Sequence, residues 1–256
     1  MTGVDADLRH DGAVLRVVVA NGKGNILDRA IIDALRGALA EAKEHPGLRC
    51  IVIEGRGRHF SFGASVQEHA PDEVRAMLPQ FHGLIRDVVH LDVPVVALVR
   101  GQCLGGGLEL AAACSFIVAD EDAWFGQPEI KLGVFAPAAS VLLPARIAPA
   151  VAEDLLLTGR SIDAPEAKAV GLVSDVFPSG QAEAGLQRWL ADNVLPRSAA
   201  ALRFALHALR APLRDAVDRR LQWVEDLYLD ELMATSDAPE GIRAFLEERE
   251  PTWTHR

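Results

Sequence analysis

The sequence is short of positive charge, with 26 lysines and arginines against 36 aspartates and glutamates. Its formal net charge is therefore −10 at pH 7 with neutral histidines. Nucleic acids and anionic membranes are bound through basic protein faces, so this balance disfavours both as partners. A local basic pocket can still hold a small phosphorylated ligand, and the total charge leaves that class open.

Cysteine is scarce as well, and long apolar runs are absent. Cys50, Cys103 and Cys114 form no CxxC pair, and two of them lie in strongly apolar stretches, which predicts reduced, buried thiols. No run approaches the 18 apolar residues of a membrane span, and the N-terminal stretch MTGVDADLRHDG lacks the apolar run of a signal peptide. We therefore expect a cytoplasmic protein without a membrane span.

Several common catalytic motifs are missing. The eight histidines show no HExxH or HxH pattern, so no metal site is expected. No GxSxG elbow is present, which argues against a serine hydrolase. Where a phosphate-binding loop needs the lysine of GxxxxGK, the sequence has Gly107, so a nucleotide phosphate is disfavoured. We expect surface or helical positions for His59, His69, His82 and His90.

The first two-thirds of the chain alternates short apolar runs with helical patterns, which is typical of an α/β layer. The predicted strands are rich in Val and Ile and are bounded by Gly, Asp or Pro: Val14–Ala20, Cys50–Glu54, Val95–Val99, Phe116–Ala119 and Leu172–Val176. Apolar residues at helical spacing predict helices from residue 31 to 42 and from 74 to 88. The segment Asp163-Ala-Pro-Glu166 predicts a capping box that opens a short helix ended by Gly171.

Strand patterns stop after about residue 181. The remaining segments are predicted to be helical: Ala182–Asn193, Ala199–Leu209, Ala216–Met233 and a last helix that starts near Ala238. We therefore predict an α/β core over residues 1–195 and a helical C-terminal region over residues 196–256. Such helices either pack on another subunit or cover the sheet of their own chain, and the sequence leaves both open.

The most informative stretch follows the strand at Val95–Val99. Gly105, Gly106 and Gly107 lead into an apolar helix, and glycines there let a ligand approach the backbone closely. The first amides of a helix have no internal partner and lie at the positive end of its dipole, so they suit an anion or a developing oxyanion. Three glycines alone would fit a tight strand-to-helix turn equally well.

Two glutamates sharpen this hypothesis. Glu109 lies three residues after Gly106, on the same helical face. Burying it between two leucines is costly without a task or a partner, and the alternative is a structural glutamate held by a backbone group or an arginine. Glu129 follows Pro128 in a turn or extended segment. Two carboxylates that face one cavity can act as acid and base.

Three motifs carry a family resemblance: GQCLGGGLELAAAC, FGQPEIKLG and LTGRSIDAPEAKAVGLV. In residues, order and spacing they resemble the enoyl-CoA hydratase (crotonase) family, from about Val14 to the terminal FLEERE. The resemblance implies an α/β fold, a crotonase-type spiral of repeated β-β-α units with a C-terminal helical region. That region builds trimers in the family, so a homotrimer or a dimer of trimers is expected.

The resemblance also implies an activity, the addition of water to an α,β-unsaturated acyl-CoA thioester. It assigns the catalytic acid and base to Glu109 and Glu129, and the amides that hold the thioester oxygen to Ala64 and Gly106. Further substrate-binding residues are expected at Phe62, Gly63, Gly105 and Phe135. No metal or redox cofactor is implied, because coenzyme A is part of the substrate. Many relatives that catalyse other reactions lack one or both glutamates.

The sequence departs from the family pattern at positions near the expected site. Phe62 replaces an alanine, Ser65 an aspartate, and Gln67 and Glu248 replace lysines, which leaves Arg29, Arg58 or Arg249 to contact the CoA phosphates. The family's glycine-rich IPGxGGTQRL loop becomes VFAPAASVLLPARI, which is stiffer because it contains proline and alanine. Phe135 and Trp124 would add apolar walls, although core packing suits Trp124 as well.

GASVQEH together with LGVFAPAAS resembles a narrower group, the cyclohexa-1,5-dienecarbonyl-CoA hydratases. A rigid apolar slot suits a flat ring, so cyclohexa-1,5-diene-1-carbonyl-CoA is the expected substrate. The alternatives within the fold are a hydratase of linear 2-enoyl-CoA and an enoyl-CoA isomerase. A non-catalytic or RNA-binding protein of this fold is more remote, given the acidic charge and the two glutamates.

Overall fold

The structure, a computed structural model, describes residues 3–256, so the first two residues of the predicted core lie outside it. The larger of its two sheets has the strand order β1 (Gly3–Arg9), β2 (Val14–Ala20), β3 (Cys50–Gly55), β4 (Val95–Val99), β6 (Phe116–Asp120) and β9 (Asp175–Phe177). The smaller sheet contains β5 (Gln102–Leu104), β7 (Trp124–Gly126) and β8 (Ser161–Asp163). All neighbours in the larger sheet are parallel except β1 and β2.

Nine α-helices lie among the described residues: α1 (Arg29–Glu41), α2 (Val74–His90), α3 (Gly106–Ala113), α4 (Pro137–Leu142), α5 (Pro149–Thr158), α6 (Ala164–Ala169), α7 (Ala182–Asn193), α8 (Ala199–Asp226) and α9 (Asp237–Leu246). The Asp28 side chain caps α1 by accepting from the Ile31 amide at 2.9 Å. Asp163 caps α6 in the same way, through the Glu166 amide at 2.8 Å. The Glu166 carboxylate pairs with Arg160 at 2.8 Å, so only half of the predicted capping box forms.

From β4 to β7 the chain winds as a spiral, because it passes alternately between the larger and the smaller sheet. β4 leads into β5 and α3, and β6 leads into β7. One turn earlier, a bridge between Ser61 and Cys103 places the segment after β3 beside β5. The predicted spiral of β-β-α units is therefore confirmed. It brings the turns that follow β3, β4 and β6 next to one another.

Most predicted elements are confirmed, and two are corrected. The strand predicted from Leu172 begins only at Asp175, because the amides of Leu172 and Val173 both donate to the Ala167 carbonyl at the end of α6. The four strands β1, β5, β7 and β8 were not predicted, because β1 is a polar edge strand and the other three have only three residues each. The three cysteines are free and buried, as expected.

The helices predicted at Ala199–Leu209 and Ala216–Met233 are a single helix, α8, which runs through Pro212 to Asp226. Buried arginines on either side of the proline anchor it: Arg210 donates to the Ala113 carbonyl at 2.9 Å, and Arg214 donates to the Leu91 carbonyl at 2.9 Å. These hydrogen bonds to other elements compensate for the backbone hydrogen bond that Pro212 removes from the helix. After α8, residues 227–231 form a short π-helix.

Within residues 3–256, no helix is both long and apolar enough to cross a membrane.

Candidate active site

The loop after β3 presents the Ala64 amide. Ser61 Oγ donates to the Asn25 carbonyl at 2.9 Å and accepts from the Gly63 amide at 3.0 Å, while the Leu27 amide donates to the Gly63 carbonyl at 2.9 Å. Gly63 has φ +109°, and a Cβ there would lie 3.2 Å from the Gly106 nitrogen. Only glycine therefore lets this loop approach the start of α3 so closely.

The Gly106 amide lies opposite. Gly105, with φ +52°, turns the chain from β5 into α3, and its own amide donates to the Gly126 carbonyl at 2.9 Å. A Cβ at Gly106 would lie 3.0 Å from the Ala64 nitrogen, so the two amides are neighbours. In the described part of the chain, neither amide donates a hydrogen bond to another residue. Two unused N–H groups thus meet at the positive end of α3.

Glu109 lies one turn further along α3 and is only 4% exposed. Its Oε1 accepts a hydrogen bond from the Ala139 amide at 2.8 Å, at the start of α4. A backbone group therefore does hold this carboxylate, as the alternative of a structural glutamate expected. No arginine pairs with it among the described residues.

Glu129 reaches the same place from the turn after β7, a 3-10 segment at Pro128–Leu132. Gly105 leaves room for it, because a Cβ at that glycine would lie 2.5 Å from Glu129 Oε1. The buried Gln127 amide nitrogen lies 3.0 and 3.2 Å from the two carboxylate oxygens, in the orientation that satisfies both groups. Gln127, which the sequence did not single out, therefore tethers Glu129.

The two carboxyl groups titrate as a pair. Burial raises the pKa of Glu109 to about 7, against the opposing effect of the Ala139 amide. Burial and then the charge of Glu109 raise the pKa of Glu129 to about 8. At neutral pH these raised pKa values therefore keep the pair from being fully ionised. An acid and a base then stand side by side in the same pocket.

One pocket contains all eight residues that the sequence predicted for the site: Phe62, Gly63, Ala64, Gly105, Gly106, Glu109, Glu129 and Phe135. It encloses about 640 Å³ of empty space, its open mouth included. Much of the remaining wall is apolar and comes from α2, the turn after β7, and α9. Such a pocket, with few polar groups aimed at one point, is typical of a small-molecule site.

The enoyl-CoA hydratase/isomerase family model matches residues 9–256 of the sequence. The chain belongs to this family. A cyclohexa-1,5-dienecarbonyl-CoA hydratase of Thauera aromatica is 50% identical over 249 residues, which cover 97% of this chain and 96% of that protein. A 2,3-dehydroadipyl-CoA hydratase of Escherichia coli is 37% identical over 238 residues, 91% of each chain.

Solved structures agree with this membership. An enoyl-CoA hydratase from Mycobacterium avium subsp. paratuberculosis superposes with a TM-score of 0.87 at 30% identity, over 99% of both chains. An enoyl-CoA hydratase/isomerase from Pseudoalteromonas atlantica gives 0.86 at 25% identity, over 98% of this chain and 99% of that one. The crotonase fold expected from the sequence is therefore confirmed, and the chain is an enzyme of this family.

The structure differs from the sequence-based expectation for three side chains near the pocket. Trp124 is 45% exposed on β7 and is neither a pocket wall nor a core residue, because β7 turns it outward. Phe62 is 44% exposed, and its ring lies 4.8 Å from that of His59 at the pocket mouth. His69, expected on the surface or in a helix, lies in a short 3-10 turn and lines the pocket. It belongs to the site although no sequence pattern distinguished it.

Of the three arginines considered for the CoA phosphates, two already have acidic partners. Arg29 pairs with Glu73 at 3.1 Å, and Arg249 pairs with Glu240 at 2.6 Å. Among residues 3–256, no acidic side chain forms an ion pair with Arg58, which is exposed after β3. It is the arginine best able to meet a phosphate without first breaking an ion pair.

The raised pKa of Glu109 predicts an unusual dependence of stability on pH. Its folded-state pKa lies above the ordinary value of 4.5, so the folded protein binds more protons between about pH 4.5 and 7. The free energy of unfolding therefore falls as the pH rises through this window. The free energy of unfolding of Glu109→Gln should exceed that of the native chain by at least about 1 kcal/mol more at pH 8 than at pH 5.

Urea unfolding at the two pH values measures this difference. Glu153→Gln serves as the control, since Glu153 is exposed on α5 and lies outside the pocket. If Glu109→Gln changes the free energy of unfolding by the same amount at both pH values, the pKa of Glu109 is not raised in the folded protein.

Proposed function

We propose that this enzyme is a hydro-lyase that adds water to cyclohexa-1,5-diene-1-carbonyl-CoA. The observation that carries the proposal is the pair of buried carboxyl groups, Glu109 and Glu129, which lie in one pocket with the two unused amides. The Thauera aromatica hydratase, half identical over nearly the whole chain, supports the ring as the acyl group.

Each part of the site has a task in this reaction. The Ala64 and Gly106 amides donate to the thioester oxygen, where negative charge develops as the water oxygen bonds to carbon. Each such donor is typically worth roughly 3 kcal/mol in the transition state. The ionised carboxylate takes a proton from the water, and the protonated carboxyl group gives a proton to carbon. One hydroxyl and one hydrogen are thereby added to two carbons of the conjugated diene, and one double bond is lost.

The environment of each glutamate assigns the two roles. The Ala139 amide favours the ionised form of Glu109, which makes Glu109 the base. The charge of Glu109 then favours the protonated form of Glu129, which makes Glu129 the acid. Hydration involves no net oxidation, and the two carboxyl groups and two amides can supply its proton transfers and charge stabilisation, so we propose no redox or metal cofactor. The three free, buried thiols support a cytoplasmic location.

The replaced loop forms the acyl wall. Val134, Phe135 and Pro137 line the pocket, and Pro137 opens α4, whose first residues are buried. This segment is a packed helix start and is therefore rigid. A rigid apolar wall favours a flat ring over a flexible chain, because the chain loses more conformational freedom on binding.

We predict that kcat/KM for cyclohexa-1,5-diene-1-carbonyl-CoA exceeds that for crotonyl-CoA at least tenfold. This needs only about 1.4 kcal/mol of differential transition-state binding. Parallel assays of water addition to the two thioesters measure it. Equal or faster crotonyl-CoA turnover would leave a hydratase of linear 2-enoyl-CoA, and isomerisation without hydration would refute the proposed reaction.

We also propose that residues 196–256 form an oligomerisation region that builds a homotrimer or a dimer of trimers. Large apolar side chains on α8 face solvent in the single chain: Phe204 and Leu209 are 79% exposed and Trp223 is 58% exposed. Exposed apolar groups on one long helix support an interface between subunits.

Light scattering at micromolar concentration should give the mass of three or six chains. Phe204→Glu should lower this mass, because it places a charge in the interface. Leu8→Glu, at an exposed apolar residue on the edge strand β1, is the matched control and should leave the mass unchanged. A monomeric native chain would contradict the proposal.

A further inference from the structure

The pocket contains a third polar side chain that the proposed reaction does not use. Among the described residues that line it, only Glu109, Glu129 and His69 carry polar side chains. His69 lies five residues after Ala64, in the 3-10 turn that follows the loop presenting the Ala64 amide. The apolar wall around it includes Val66 from the same loop.

The structure determines which ring nitrogen of His69 carries the proton. Nδ1 lies 2.7 Å from the Ser65 carbonyl oxygen, which can only accept a hydrogen bond. Nδ1 is therefore the protonated nitrogen, and Nε2 bears a lone pair. Burial lowers the pKa of His69, so the ring stays neutral at neutral pH. Nε2 is then an acceptor and not a donor.

Nε2 has no hydrogen-bond partner within residues 3–256. Solvent reaches Nε2 through the pocket, so a ligand that displaces this solvent leaves the acceptor unpaired unless the ligand supplies a donor. Neither the diene nor a linear enoyl group contains an N–H or O–H bond. Hydration creates the one donor that the acyl group has, its new hydroxyl.

We infer that His69 is a specificity-determining residue whose Nε2 accepts a hydrogen bond from the hydroxyl of the hydrated acyl group. This inference rests on the proposed function. It extends the roles of Glu109 and Glu129, because they move protons whereas His69 recognises the group that the reaction forms. The pocket should then distinguish a hydroxylated acyl-CoA from the same acyl-CoA without oxygen.

Two saturated probes test the inference: 2-hydroxycyclohexane-1-carbonyl-CoA and cyclohexanecarbonyl-CoA. Their dissociation constants are measured by calorimetry in a Glu109→Gln background, which prevents dehydration of the first probe. Adding His69→Leu should weaken binding of the hydroxylated probe at least fivefold, which corresponds to about 1 kcal/mol. Binding of the probe without oxygen should change less than twofold.

A second variant separates recognition from a structural role. His69→Gln keeps an acceptor oxygen and should retain the preference for the hydroxylated probe. Equal weakening of both probes by His69→Leu would show that His69 only supports the loop, and no change in either would show that Nε2 contacts no hydroxyl. Either result overturns the inference. The proposed function fails separately, if the native chain hydrates neither thioester.

Discussion

Glu109→Gln and Glu129→Gln are each expected to lower kcat at least about a hundredfold, the low end for a general acid or base. Glutamine keeps the size of the side chain and, at Glu109, an oxygen for the Ala139 amide. It can neither take a proton from water nor deliver one to carbon. Acyl-CoA binding should be largely kept, since the amides and the apolar wall are unchanged.

Stopped-flow or steady-state hydration assays, with a separate measurement of thioester affinity, test this expectation. The double variant should lose little more than the worse single variant, because the two groups act as a unit. Glu153→Gln, at an exposed glutamate on α5 outside the pocket, should stay close to native activity. Near-native hydration by either single variant would make that glutamate structural.

Gly106→Ala is expected to lower kcat/KM by at least about a hundredfold, the range for loss of one oxyanion donor. The added Cβ would lie 3.0 Å from the Ala64 nitrogen and 3.2 Å from Phe81 Cζ. It would therefore intrude between the two amides and displace at least one of them. The thioester oxygen could then no longer accept from both.

Kinetics with the preferred thioester, together with a thermal melt, separate this effect from unfolding. Gly37→Ala is the matched control, because a Cβ there meets nothing within 4 Å on the exposed face of α1. It should keep full activity and gain about 0.5–1 kcal/mol in stability. A folded Gly106→Ala enzyme with native kcat/KM would show that these amides do not hold the reacting oxygen.

Part of the site could be predicted because its geometry is local. Gly106 and Glu109 are three residues apart on one helix, so helical periodicity alone places the carboxylate beside the helix start. Glu129 was named as a candidate, but its place beside Glu109 needed the family resemblance, because no rule of spacing relates a turn after β7 to a helix after β5. Gln127 and His69 were missed for the same reason, since each matters only through a partner elsewhere in the pocket.

The strands of the larger sheet were predicted best where they are buried on both faces, as at Val95–Val99. Such strands are continuous apolar runs, which are easily recognised. The prediction of two helices in place of α8 was wrong, because Pro212 by itself favours the end of a helix. Hydrogen bonds from Arg210 and Arg214 to other elements decided otherwise.

The sequence by itself determined the local features of this enzyme: the strands of its core, the turn of glycines before α3, and the glutamate one helical turn beyond. Neighbouring residues decide these through backbone conformation and periodicity. Only the tertiary structure decided how the Ala64 amide meets Gly106, through the bonds between Ser61 and the β5 segment. It also decided the raised pKa values, because burial is a property of the folded chain and not of a residue.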